Sequence, residues 1–215
     1  MRLFPSRKHC AQNIRAFHKK NPNDVSDLST LWQKLTKEQT PDTLTDAQGD
    51  LLKLLKRWQA YRNQPSRRNE AVLENLLEDQ GALTALRDLI HTTQATSDLT
   101  RILEHKAQIN AVFDFFKAYS LQDGVPARIV TVSKAMLMTC GFTVGLDSKV
   151  LERIRQANPY SLTCPGVWPF CLYFETLQYI AYEQRMWEEE NGSMNHLLEC
   201  LPIGQIMDMI LWRNA

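Results

Sequence analysis

The chain has 215 residues, of which 44% are hydrophobic and 23% charged, and its formal net charge is +1. Its eight glycines and nine prolines are few for a turn-rich all-β fold, and no apolar run reaches the roughly 18 to 20 residues of a bilayer span. Basic residues interrupt the N-terminus where a signal peptide would be apolar, and the five cysteines are scattered among apolar neighbours. We therefore expect a cytoplasmic protein with no membrane contact and with buried free thiols.

Apolar residues recur at every third or fourth position through the first half of the chain, which predicts a series of amphipathic helices. A helix begins near Val72, and Gly81 is expected to end or kink it. The clearest helix is predicted from Ser97, its N-cap, to Tyr119. No strand pattern competes with these helices, so we predict an all-α globular fold of about eight to ten helices.

Residues 122–126 have the composition of a turn and mark the predicted boundary between two parts of the chain. The N-terminal part, 1–122, is helical and contains two basic stretches. The C-terminal part, 123–215, is helical and rich in aromatic residues. A single domain is the alternative.

Several helices are predicted in the C-terminal part, and two of them have distinctive sequences. The first begins at Pro126 and runs to Cys140, with Gly141 as the glycine that follows a helix end. The second covers 169–190 and has aromatic side chains around its whole circumference, which is typical of a helix in the core. A ligand pocket or a groove for a partner is the alternative role for this aromatic helix.

Positive charge is concentrated in 1–23 and 51–69, two stretches without an acidic residue. Phosphates bind such surfaces with release of counterions, and exposed Trp58 and Tyr61 could stack on bases. This pattern predicts a binding module for nucleic acid or for another anionic partner such as an acidic protein. The alternative is that the two aromatic residues are core and the cations form a solvated edge. The predicted nucleic-acid-binding residues are Arg7, Lys8, Arg15, Lys53, Lys56, Arg57, Arg62, Arg67 and Arg68.

Known catalytic and cofactor motifs are absent from the sequence. It has no phosphate-binding loop, no dinucleotide-binding glycine motif and no hydrolase or metalloprotease signature. Its cysteines and histidines do not have the spacing of a structural metal site. We expect no cofactor and no metal.

The segment Pro126–Ile154 contains Thr-Val-Ser-Lys134-Ala and then Asp147-Ser-Lys-Val-Leu-Glu-Arg-Ile. Over these 29 residues the chain resembles the helix-hairpin-helix DNA glycosylases, in which a hairpin and a lysine precede one helix and an aspartate begins the next. The resemblance implies that Lys134 is an amine nucleophile and that Asp147 supports chemistry at the sugar; an amine reacts only when it is uncharged. The residues alone leave open that Asp147 merely caps a helix and that Lys134 is a solvated surface residue.

A third class of function is a structural or regulatory subunit that interacts through its aromatic C-terminal helices, as a homo-oligomer or in a larger assembly. This hypothesis predicts an exposed apolar patch around Trp168, Trp187 or Trp212. Whether the protein is an enzyme is not decided by the sequence.

Overall fold

The computed structural model describes residues 2–37, 41–61, 65–159, 165–199 and 201–212, and it confirms the all-α prediction. None of the helices in these ranges is long and apolar enough to cross a bilayer. The described helices are α1 (Arg7–Lys20), α2 (Asp24–Leu35), α3 (Pro41–Arg57), α4 (Val72–Glu78), α5 (Gln80–Ala95), α6 (Leu99–Leu103), α7 (Lys106–Tyr119), α8 (Ile129–Cys140), α9 (Ser148–Ala157), α10 (Phe170–Asn191) and α11 (Ile203–Leu211).

The helix predicted over 97–119 is two helices, α6 and α7, separated at Glu104 and His105. Asp98, and not Ser97, caps α6, because its carboxylate accepts a hydrogen bond of 2.9 Å from the Thr100 N–H. The apolar face predicted for this segment is nevertheless buried along both helices. Periodicity therefore located the buried side chains correctly and missed the break in the backbone.

A carboxylate also sets the boundary between α4 and α5. Gly81 was expected to end or kink a helix, but it lies in the first turn of α5. Asp79 caps that helix by accepting a hydrogen bond of 2.9 Å from the Ala82 N–H. The helix break is explained by this side-chain cap, which satisfies an N–H group that the first turn leaves free.

Helix α8 lies at the centre of the fold and packs against α2, α3, α5, α7 and α11. It begins at Ile129, three residues later than predicted, because Arg128 is still extended. It ends as predicted before Gly141, whose φ of 74° is a left-handed conformation that glycine adopts without strain. One cluster of buried apolar residues draws on both sides of the turn at 122–126. The division at that turn remains a prediction.

The aromatic helix α10 is a core helix, as its sequence predicts. Tyr173, Phe174 and Trp187 on it are buried, and burial raises the pKa of the Tyr173 phenol well above its usual range. Trp168, which precedes the helix, is also buried, whereas Trp212 is partly exposed. Trp168 and Trp187 therefore add no exposed apolar surface, and the subunit hypothesis remains a prediction.

The cysteines follow the prediction of buried free thiols only in part. Cys10 and Cys140 are free and buried, and burial raises the pKa of both thiols to about 12. Cys171 is free but exposed, in the first turn of α10. Cys164 and Cys200 lie outside the described residues.

Two glycines on different helices are expected to respond in opposite ways to alanine. At Gly204, in α11, a Cβ would lie 2.2 Å from the Thr143 carbonyl oxygen, so Gly204→Ala should lower the free energy of unfolding by about 1–3 kcal/mol. At Gly49, in α3, a Cβ would meet nothing within 4 Å, and Gly49→Ala should raise it by about 0.5–1 kcal/mol. Urea unfolding followed by circular dichroism measures both. Equal effects of the two substitutions would contradict the close packing of α11 on residues 141–143.

Candidate functional site

A cleft of about 620 Å³ opens where six helices meet. Its walls come from the C-terminal ends of α1 and α3, the N-termini of α2 and α9, the first half of α8, and α11. Aromatic rings form part of the wall: Phe17 makes edge-on contacts with Trp58 and with Trp212, at centroid distances of 5.6 and 5.5 Å. A cavity of this size falls within the range of small-molecule sites.

Lys134 and Asp147, which the glycosylase resemblance singled out, meet in this cleft. The Lys134 Nζ lies 3.3 Å from Asp147 Oδ2, and the side chains are 7% and 23% exposed. The lysine is therefore not the solvated surface residue of the alternative interpretation. Its ammonium also donates a hydrogen bond to the carbonyl oxygen of Trp58, at the end of α3. In the described chain the ammonium thus has two partners, the Trp58 carbonyl and the Asp147 carboxylate, and its third N–H group is available to a ligand.

Asp147 also caps α9, as the alternative interpretation predicts. Its Oδ1 accepts hydrogen bonds from the Lys149 N–H at 3.0 Å and from the Val150 N–H at 3.2 Å. Its Oδ2 is the oxygen that pairs with Lys134. The two interpretations of Asp147 are therefore compatible, because each uses a different oxygen.

The structure corrects one part of the resemblance. Thr131 to Ala135, which were compared with the end of a hairpin, lie inside α8. Within α8 the Ser133 hydroxyl accepts a hydrogen bond of 2.8 Å from the Leu146 N–H. This contact fixes the segment before Asp147 against the helix that carries Lys134.

A second carboxyl group, Asp208 on α11, lies beside this pair and was not found from the sequence. It is buried, and its Oδ1 accepts a hydrogen bond of 2.7 Å from the Gly145 N–H. Burial, reinforced by the nearby charge of Asp147, raises the pKa of Asp208 to about 7, and Lys134 opposes the shift. Gly145 lies between the side chains of Lys134 and Asp208. A Cβ on it would lie 2.9 Å from Lys134 Cγ and 3.2 Å from Asp208 Oδ1.

Tyr61 lines the cleft, and its buried phenol has no hydrogen-bond partner among the described residues. The residue is 6% exposed, and burial raises its pKa to about 12. Leaving a buried hydroxyl unpaired costs about 1–3 kcal/mol. Such a group gains a hydrogen bond when an acceptor reaches it.

Three cations at the cleft have no carboxylate partner in the described part of the chain. They are Lys20 at the end of α1, Arg128 before α8 and Lys149 at the start of α9. Lys20 and Lys149 place their ammonium groups 4.7 and 5.0 Å from the ring centroid of Trp212. The ring orients the two charges without neutralising them.

The cations predicted from the basic stretches divide into several groups. Arg57 lines the cleft, but Asp24 and Asp27 pair with it and raise the pKa of its guanidinium. Arg15 lies in a neighbouring groove. The other assigned residues that the structure describes do not line either cavity. Arg7 donates a hydrogen bond to the Asn191 carbonyl, Lys53 pairs with Asp50, Arg68 pairs with Glu70, and Lys8, Lys56 and Arg67 are exposed. Arg62 lies outside the described residues.

Sequence spacing could not assign Asp208 and Trp212 to the cleft, because the sequence of α11 is almost entirely apolar. Asp208 and Trp212 are one turn apart on it, and both line the cleft. The one available signal for Asp208 was its position as an aspartate within an otherwise apolar helix. Lys149 carried no signal, since its position next to Trp212 depends on the packing of α9 against α11.

Removing the Asp208 charge should make the protein more stable and less sensitive to pH. Between about pH 4 and pH 7 the unfolded chain has this carboxyl ionised, while the folded protein keeps it protonated, so stability falls as the pH rises. Asp208→Asn retains an oxygen that accepts the Gly145 N–H. It has no ionisable group at this position, so its stability does not fall with pH for this reason. Its advantage in unfolding free energy should grow across that window, up to about 4 kcal/mol, and stay constant above it. Urea unfolding of both proteins at several pH values tests this, and parallel pH profiles would contradict it.

Comparison with protein-family models, with curated proteins and with solved structures gives no match to this chain. The roles of Lys134, Asp147 and Asp208 therefore rest on their contacts, burial and charge.

Proposed function

We propose that this protein binds nucleic acid and holds one nucleoside in the cleft. The observation that carries the proposal is the combination, in one cavity, of aromatic side chains with the uncompensated cations Lys20, Arg128 and Lys149. Phosphates bind the cations, and a base has a flat face for the rings. We also propose that the protein is cytoplasmic, as the sequence predicts.

A nucleoside explains the cleft better than an acidic protein does. Carboxylates of a protein partner would satisfy the cations and accept from the Tyr61 hydroxyl, but they have no flat face to pack against the aromatic walls. A base presents ring nitrogens and carbonyl groups that accept a hydrogen bond from a phenol. Its size also suits a cavity of about 620 Å³.

A second candidate function is cleavage of the bond between base and sugar, in the manner of the DNA glycosylases that 126–154 resembles. The ion pair of Lys134 and Asp147 inside the cleft favours it. An ammonium has no lone pair, so Lys134 must first give a proton to the neighbouring carboxylate of Asp208, which leaves Asp147 ionised. Its nitrogen then bonds to the sugar carbon C1′, and the electrons of the broken bond leave with the base, which takes up a proton. The carboxylate of Asp147 stabilises the positive charge that develops on the sugar.

Deoxynucleoside monophosphates should bind the wild-type protein with an affinity that depends on Tyr61. Tyr61→Phe removes one hydrogen bond and should weaken binding about 3- to 10-fold. The same variant should be at least as stable as the wild type, because the lost hydroxyl is buried and unpaired. Isothermal titration calorimetry measures the affinities, with the exposed Tyr182→Phe as the matched control. No binding of any nucleotide by the wild type at low ionic strength would end the nucleoside proposal.

The second candidate has its own test with an oligonucleotide that contains an abasic site. The aldehyde of that site should condense with the Lys134 amine to an imine and water, and borohydride should reduce the imine to a stable amine link. Lys134→Ala should lose the cross-linked product, while Lys20→Ala and Lys149→Ala, which remove the other lysines of the cleft, should keep it. Denaturing gel electrophoresis separates the product. A product that persists in Lys134→Ala would exclude this role for the lysine.

A further inference from the structure

A second, more open groove of about 970 Å³ adjoins the cleft. Lys20, Lys149 and Trp212 line both cavities, so the groove and the cleft meet at this tryptophan. The rest of the groove is formed by one side of α1. A ligand that fills the cleft can therefore continue along α1 without leaving the protein surface.

The α1 side of the groove is a helical face with a regular charge pattern. Its lining residues are Gln12, Arg15, Ala16, Lys19 and Lys20, which recur at intervals of three and four along the helix. The opposite face carries the buried apolar side chains of α1. From the first to the last of these positions the helix rises about 12 Å.

The groove carries positive charge that no carboxylate compensates. No acidic residue lines it, and in the described chain Arg15, Lys19, Lys20 and Lys149 form no ion pair. Lys19 and Lys20 lie in the last turn of α1, where the helix dipole stabilises positive charge. Trp212 holds the ammonium groups of Lys20 and Lys149 at its ring. The groove is therefore an ordered site for several negative charges.

The N-terminal end of the same helix differs. Arg2 pairs with Glu190 at 2.6 Å, and Arg7 donates a hydrogen bond to the Asn191 carbonyl, so the end of α10 occupies both cations. Lys8 is exposed but lies outside both cavities, so the cations of α1 that line the groove all come from its C-terminal half. This division could not be read from the sequence, in which all of 1–23 is uniformly basic.

We propose that the groove binds the consecutive phosphates of a single nucleic-acid strand whose nucleoside occupies the cleft. The inference rests on the proposed function and adds the path of the strand: from the cleft, past Trp212 and along α1. A single strand is favoured over a duplex because the nucleoside in the cleft must be unpaired to enter it. The length of about 12 Å accommodates only a few phosphates, which suits a short stretch of strand.

The salt dependence of binding tests the path. For an oligothymidylate of about eight nucleotides, the slope of log K against log salt changes by about 0.7 for each phosphate contact to a single strand. Arg15→Ala with Lys19→Ala removes two cations that line only the groove, so the slope should become less negative by about 1.4. Lys8→Ala with Lys56→Ala removes two exposed cations outside both cavities and should leave the slope unchanged. Fluorescence anisotropy of a labelled strand gives the binding constants.

The two proposals fail in different ways. Arg15→Ala with Lys19→Ala should bind mononucleotides as the wild type does, because neither residue lines the cleft. An unchanged slope in this variant, or an equal change in the Lys8 and Lys56 control, would overturn the groove while leaving the nucleoside proposal standing. Tighter binding of a duplex, or displacement of the strand by polyglutamate at equal charge, would also overturn it. If the wild-type protein bound no mononucleotide, both proposals would be overturned.

Discussion

The burial of one ammonium group governs the architecture around the cleft. An isolated charge in a protein interior costs several kcal/mol, so Lys134 in the middle of α8 is tolerated only where other segments compensate it. The compensation comes from the end of α3, through the Trp58 carbonyl, and from the start of α9, through Asp147. The neighbouring Thr131 hydroxyl donates a hydrogen bond of 2.7 Å to the Ala60 carbonyl and fixes the same end of α3. These contacts therefore join the walls of the cleft to the segment that carries the lysine.

The connection from α8 to α9 shows how the site is positioned. Its segment 141–147 leaves the helix at a left-handed glycine and returns to the same helix, where Leu146 bonds the Ser133 hydroxyl. Gly145 fits between Lys134 and Asp208 because it has no side chain. Asp147 then begins α9 with one oxygen and holds the ammonium with the other. A helix cap and a charge pair in the cleft are thus parts of one local structure.

The sequence predicted what depends on neighbours along the chain. The cap at Asp147, the helix end at Gly141 and the buried face of α7 follow from local spacing, and the structure confirms them. The charge distribution could not be predicted in the same way, because pairing depends on distant segments. Arg7 is taken up by the end of α10, and Arg57 is paired with the start of α2. The cations that remain at the cleft and groove therefore form a different set from those that the two basic stretches indicated.

The C-terminal helix gives the strongest physical reason to regard the cleft as functional. All of α11 is buried, and Asp208 is a carboxyl group in its interior-facing sequence. Its raised pKa means that ionised Asp208 lowers the stability of the fold. A carboxyl group needed only for packing would be replaced by an apolar residue of similar size with a gain in stability. The carboxyl of Asp208 instead lies beside Lys134 and Asp147, and Trp212, one turn further, orients two ammonium groups. The fold is thus destabilised at the position where Asp208, Lys134 and Asp147 meet. This pattern is expected of a site that acts on a ligand.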